Sequence, residues 1–202
     1  DKILQSKKVI EKSNSINFLG YKIGSLKSTF DSTGTSTGTS SLKTTYELCV
    51  HLSDNKIDKY LKKIQLSFKY FDKKKNHNRK YAFKLLCARI GYLTSNTKLK
   101  NNKDKVFVGI YFSNPFLNSH TSLEKLQKRL KWYISRAKLS AVEKTIIENY
   151  SFILGFTNRS FHFLPLKNKK YKSHNRKKND VPNRNNKGIL QFGLAEINSI
   201  WK

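Results

Sequence analysis

The chain has 202 residues, with 41 Lys or Arg against 13 Asp or Glu and a formal net charge of +28 at pH 7. That length allows one or two domains with a sizeable core. No apolar run approaches the ~20 residues of a spanning helix, and the N-terminus lacks the apolar centre of a signal peptide, so no membrane partner and a cytoplasmic location are expected.

Residues 1 to 15 are polar, carry only the apolar pair Val9-Ile10, and lead into the first strand. Ile16, Phe18, Tyr21 and Ile23 form a run of β-formers broken by Gly20 and Gly24, and Tyr46 to Leu52 reads as the returning strand. Between them, Asp31 to Ser41 is a Ser, Thr and Gly tract that cannot bury apolar surface, so it is expected to be a flexible loop. Together these segments predict a β-hairpin with a long tip.

From Ser53 the hydrophobic period changes from two to 3.6. Ile57, Leu61, Ile64, Phe68 and Phe71 recur at spacings of 4, 3, 4 and 3, one stripe of an amphipathic helix whose other faces carry Lys59, Lys62, Lys63 and Lys69. Asp72 to Arg79 reads as a polar connector, Tyr81 to Leu93 as a buried helix, and Thr94 to Asp104 as a second polar loop. Val106 to Phe112 fits a strand or a short buried helix, and periodicity does not decide between them.

Two helices with start signals come next. Thr121 with Glu124, and Ser140 with Glu143, each match the capping box, in which a hydroxyl and a carboxylate reciprocally satisfy free backbone N–H groups. The first helix is expected to turn Leu123, Leu126, Leu130, Tyr133 and Ala137 inward, and the second Val142, Ile146, Tyr150, Ile153 and Leu154. Lys167 to Lys187 carries nine Lys or Arg and one acid, a composition that is disordered alone and binds nucleic acid. Apolar content returns from Ile189 to Trp201 and predicts a terminal helix docked on a part of the protein outside this chain.

The charge excess narrows the partner. A net charge this large repels itself in the folded state and is best tolerated when a polyanion neutralises it, which favours nucleic acid over an acidic protein or a lipid surface. Catalytic residues are not evident. No adjacent acid pair occurs, and the isolated acids Asp54, Asp58 and Glu148 fall on predicted helices, where they offset helix N-termini or lysines. The five histidines are scattered, no phosphate-binding Gly loop occurs, and Cys49 and Cys87 sit in apolar stretches as reduced core residues without ligand spacing. No catalytic residue and no metal ligand is therefore assigned.

Phe18-Leu19-Gly20-Tyr21-Lys22-Ile23 resembles the primer grip of reverse transcriptases: an apolar pair, a Gly permitting close backbone approach, an aromatic and a basic residue. Ala88-Arg89-Ile90-Gly91-Tyr92-Leu93-Thr94-Ser95-Asn96-Thr97-Lys98-Leu99, continuing through Asn101-Asn102-Lys103 to Val108-Gly109-Ile110-Tyr111-Phe112-Ser113-Asn114, is similar to a region downstream of the palm in bacterial defence-associated reverse transcriptases. The resemblance covers roughly residues 10 to 165. It implies the end of a palm with its primer-grip hairpin over residues 1–52, a helical thumb or connection over 53–165, and a basic tail with a C-terminal helix over 166–202. The fold class is then mainly α with a small N-terminal β-hairpin. The chain holds no Met and starts at Asp1, which fits a piece of a longer polymerase.

The implied activity is RNA-directed DNA synthesis in antiviral defence. The intact enzyme would use Mg²⁺ held by an upstream palm, and this segment would bind none. Phe18, Leu19, Gly20, Tyr21 and Lys22 would meet the primer end of an RNA/DNA template–primer. Lys59, Lys62, Lys63, Lys69, Arg129 and Arg136 would track phosphates, while Arg79 and Lys80 combine charge with the Tyr81 ring. A group II intron maturase thumb and a structural RNA-binding protein of ribosomal type are the alternatives.

Overall fold

A computed structural model describes residues 15–31, 42–100, 105–161, 169–170 and 189–201. Among these the chain is mainly helical, with a small antiparallel sheet near the N-terminus. The Ser/Thr/Gly tract 32–41, residues 101–104 and all of the basic block 167–187 except Lys169 and Lys170 lie outside the described residues. The chain divides into two compact units, Asp1–Lys59 with Phe116–Ser122, and Tyr60–Pro115 with Leu123–Lys202.

In the first unit, β1 (Ser15–Phe18), β2 (Tyr21–Asp31) and β3 (Leu42–Leu52) form one sheet in sequence order. The segment expected as a single strand from Ile16 to Ile23 is folded back on itself. Phe18 pairs with Tyr21 and Ile16 with Ile23, so Leu19 and Gly20 make a two-residue turn. Their φ angles, 46° and 81°, are both positive, as a type I′ turn requires, and the twist of that turn matches antiparallel strands. The returning strand also begins earlier than Tyr46, and all 11 residues of β2 pair with it. Its outer edge is covered by side chains: Asn118 Oδ1 accepts from Val50 N at 2.7 Å, its Nδ2 donates to Leu48 O at 2.7 Å, and Ser122 Oγ accepts from Leu52 N at 3.0 Å. An amide in this position copies the pairing a fourth strand would give and blunts the edge.

Helix α1 (Asp54–Thr94) begins in the first unit and supplies much of the second. Ile57, Ile64, Phe68 and Phe71 of the predicted stripe are buried, and Leu61 is half-buried. The polar connector expected over Asp72 to Arg79 is helical apart from Asn78, whose φ of −154° and ψ of 85° break the helix. Asn78 Oδ1 accepts from Tyr81 N at 3.0 Å and so caps the second half of the helix. Three consecutive lysines resemble a loop in composition, yet Lys is a good helix former; Lys73 and Lys74 are exposed, and Lys75 is half-buried over Phe71 and paired with Asp72. Beyond the break Ala82, Leu85, Leu86, Ile90 and Leu93 are buried, as the sequence predicted. Cys49 and Cys87 are buried free thiols, and burial pushes the Cys87 thiol up to about 12.

The second expected loop is in part a strand. β4 (Asn96–Lys100) pairs with β5 (Lys105–Gly109), after which the chain turns over residues 110–113. Buried Asn96 organises this corner. Its Nδ2 donates to Gly155 O at 3.0 Å and Ser160 O at 3.3 Å, and its Oδ1 accepts from Tyr111 N at 2.9 Å and Phe112 N at 3.4 Å. Gly155 is required here because a Cβ would collide with the Thr94 carbonyl.

Helix α2 (Thr121–Arg136) buries Leu123, Leu126 and Leu130 as expected, and also Ile134, with Tyr133 and Ala137 half-buried. Thr121 is the first helical residue rather than the cap, and its hydroxyl meets Ser119 Oγ at 3.1 Å. The box at Ser140 is formed in both directions at the start of α3 (Ala141–Glu148). The expected inward face of the next helix is corrected. Val142, Ile146 and Leu154 are exposed and only Tyr150 and Ile153 of the expected face are half-buried; the helix stops at Glu148, Ser151 caps a separate α4 (Phe152–Thr157), and the buried positions are Ile147, Phe152 and Phe156.

At the C-terminus, β6 (Lys169–Lys170) pairs with β7 (Ile189–Gln191), and α5 (Leu194–Asn198) completes the order of elements. This helix docks on α1 of its own chain, not on a missing part: Phe192 and Ile197 pack with Leu85. Buried Arg89 donates from Nε to Ile197 O at 3.1 Å and from Nη2 to Glu196 O at 3.1 Å, with its guanidinium 4.3 Å from the Tyr70 ring centroid. Desolvation lowers its pKa, but a guanidinium remains charged. That cation satisfies the Ile197 carbonyl at a helix C-terminus and shares the Glu196 carbonyl with Ser199.

Asn96→Ala is expected to lower unfolding stability by roughly 2–4 kcal/mol in urea denaturation, since each buried polar group left unpaired costs about 1–3 kcal/mol.

Candidate nucleic-acid interface

In the first unit, the β1–β2 turn and the start of α1 enclose a cavity of about 710 Å³ lined by Phe18, Leu19, Gly20, Asp54, Lys56 and Lys59, among others. Ser53 N donates to Gly20 O at 2.9 Å, and Ser53 O accepts from Lys56 N and Ile57 N at 3.0 Å, so the turn and the first helical turn share one anchor. Phe18 is 61% exposed and Leu19 78%. Two apolar side chains thus border an opening whose cations come from one helix.

The five hairpin residues named from the sequence divide by role. Phe18, Leu19 and Gly20 line the cavity. Tyr21 is buried, edge-on to Phe116 at 5.9 Å, and desolvation raises its pKa. Lys22 reaches Asp54 at 3.6 Å, an exposed ion pair that contributes little to stability. Lys56, which the sequence did not single out, has its ammonium 5.0 Å from the Tyr21 ring centroid, and desolvation lowers its pKa. No spacing signal marks Lys56; only the turn folding against the helix start selects it.

The remaining cations, apart from Lys59, belong to the second unit. Lys62, Lys69 and Lys80 are exposed. Lys63 lies with its ammonium 5.1 Å from the Trp201 ring centroid, while Trp201 Nε1 donates to Lys63 O at 3.2 Å. Arg79 is engaged internally: Nε donates to Glu143 Oε1 at 3.0 Å, and Nη2 to Glu143 Oε2 at 2.6 Å and Lys138 O at 2.8 Å. Arg129 and Arg136 flank Trp132, with guanidinium carbons 4.5 Å and 5.3 Å from its ring centroid. Sequence reading passed over Trp132, although its offsets of three and four residues from these arginines place all three on one helix face.

Among the described residues, no three His, Cys, Asp or Glu side chains gather where they could hold a metal ion. No helix among them is long and apolar enough to cross a membrane. Comparison with protein-family models, curated proteins and solved structures finds no match.

The Arg79–Glu143 pair makes stability pH-dependent. The Arg79 hydrogen bonds hold the Glu143 carboxyl below its ordinary value of 4.5, with the Ser140 backbone N–H acting in the same direction against desolvation. A carboxyl depressed in the folded state stabilises it above the unfolded pKa, and that contribution disappears as pH falls through the folded one. Melting temperature should therefore decline below about pH 4.5, and Glu143→Gln should flatten that part of the profile in melts from pH 7 to 3.

Proposed function

We propose that this chain is the nucleic-acid-gripping C-terminal part of an RNA-directed DNA polymerase. The observation that carries the proposal is the Leu19–Gly20 turn. A non-Gly residue in the left-handed region costs about 1–2 kcal/mol, and Asn is the side chain best suited to that position of a type I′ turn. Leu19 instead stands there at φ 46°, and it leaves an apolar side chain in solvent beside Phe18. Backbone strain of this kind persists at binding sites, where the side chain is needed in one place.

The neighbouring chemistry suits the end of a strand. Leu19 and Phe18 offer an apolar surface to a sugar and base, Lys56 and Lys59 offer cations to phosphates, and the cavity of about 710 Å³ is of ligand size. In this reading the hairpin holds the primer end with Lys56 and Lys59 on its phosphates, the exposed lysines of the second unit offer further phosphate contacts of their own, and Mg²⁺ chemistry belongs to carboxylates outside these residues. The setting in antiviral defence is supported by the resemblance of Ala88 to Asn114 alone.

Binding of the 202-residue chain to an RNA–DNA hybrid with a recessed primer end should weaken about 10³–10⁵-fold between 50 and 200 mM salt, as expected for six to ten phosphate contacts. Leu19→Asn should stabilise the fold by about 1 kcal/mol. The same variant should lose its preference for the recessed end. A flat salt response would sink the proposal. Equal affinity of the unaltered chain for recessed and continuous duplexes would instead place it with structural RNA-binding proteins.

A further inference from the structure

Helix α2 exposes Lys125, Lys128, Arg129, Lys131 and Arg136 against one acid, Glu124, and in their midst holds Trp132 at 41% exposure. The indole is fixed from below. It stands edge-on to Tyr133 at 4.9 Å, and Tyr133 stacks on buried Phe68 at 5.4 Å with an interplanar angle of 17°. Arg129 lies over both rings, 4.5 Å from Trp132 and 5.3 Å from Tyr133, and Arg136 lies 5.3 Å from Trp132.

Neither arginine has a carboxylate within ion-pair distance among the described residues, in contrast to Arg79 on Glu143. Two exposed guanidiniums held beside one indole place two positive charges next to a flat apolar surface, which suits an anion. Cation–π contact also holds both side chains near one orientation, so less freedom is lost when they meet an anion. The indole itself calls for a second kind of group. Phosphates alone need no exposed Trp, and a duplex hides the faces of its bases, whereas an unpaired base presents a flat surface that stacks on an aromatic ring regardless of sequence.

We propose that Trp132, Arg129 and Arg136 bind a single-stranded stretch of RNA, with one unpaired base stacked on the indole and the guanidiniums drawn to the flanking phosphates. The choice of RNA rests on the polymerase reading, in which the unpaired strand is the template; the stacking site rests on α2 alone.

The chain has two Trp residues, so Trp201→Phe leaves Trp132 as its only indole. Titration of this variant with an oligouridylate of about twelve residues should quench its fluorescence to saturation, and inorganic polyphosphate of equal charge should bind without that quenching. Trp132→Ala should weaken oligouridylate binding by about 5–150-fold, the range of one stacked base, while Trp132→Phe retains most of the affinity. Hybrid-duplex affinity should stay within about twofold in both. Oligouridylate binding without quenching, or unchanged affinity in Trp132→Ala, would overturn the stacking site and leave the duplex-gripping proposal standing. About tenfold tighter binding of the equivalent DNA strand would overturn the assignment to RNA. Loss of salt-dependent duplex binding by the unaltered chain, with quenching retained, would sink the polymerase reading and keep the single-strand site.

Discussion

The side-chain amide of Asn96 uses both its donors and both lone pairs of its oxygen on backbone groups from two other segments. A buried amide left partly unpaired would be costly, so the four bonds form together or the corner does not form. Through them the strand after α1, the turn at 110–113 and the end of α4 are fixed at one point, and the second unit is built outward from it. The close approach of Gly155 to the Thr94 carbonyl belongs to the same corner. Without a Cβ at that position the two backbones come near enough for the Asn96 amide to span them.

Polar groups close this unit at its C-terminal end as well. Arg89 projects from the apolar side of α1 and binds the carbonyls of Ile197 and Glu196, while Tyr81 Oη lies 3.2 Å from Glu196 Oε1. Arg79 closes on Glu143 in a two-pronged pair. These arginines are structural cations, each facing acceptors from a distant part of the sequence. Among the described residues Arg129 and Arg136 meet aromatic rings and no carboxylate, in contrast to the arginines that hold the fold.

At the β1–β2 turn, stability favours a residue other than the one present. Asn at position 19 would relieve the backbone, and Leu keeps an apolar side chain in solvent. A chain selected for stability alone has no reason to keep Leu there, because an exposed apolar group contributes nothing to folding where it touches nothing. Under the proposed function, its place beside a cavity with Lys56 and Lys59 would give the strain a use in binding.

Much of the fold was legible along the chain. The stripe Ile57, Ile64, Phe68 and Phe71, the buried run from Ala82 to Leu93, the α2 positions Leu123, Leu126 and Leu130, and the box at Ser140 arise from periodicity and local hydrogen bonding, both of which are properties of neighbouring residues. The hairpin turn was present as Leu19-Gly20 but hidden in a run of β-formers, where a Gly between strands reads like a Gly within one. Of the candidate site, Phe18, Leu19, Gly20 and Lys59 were legible in the sequence and Trp132 was marked by its spacing from Arg129 and Arg136, whereas Lys56 was not legible. The sequence by itself determined the buried stripes of α1 and α2, the excess of positive charge and the residues at the turn, because helix periodicity and composition are local quantities. Only the tertiary structure decided that Tyr21 points inward, that Arg79 and Arg89 are engaged by Glu143 and the C-terminal carbonyls, and that Arg129 and Arg136 share one exposed indole with no acid paired to them among the described residues. Whether a charge is paired depends on groups brought together through space, and for Arg79 that partner lies 64 residues away.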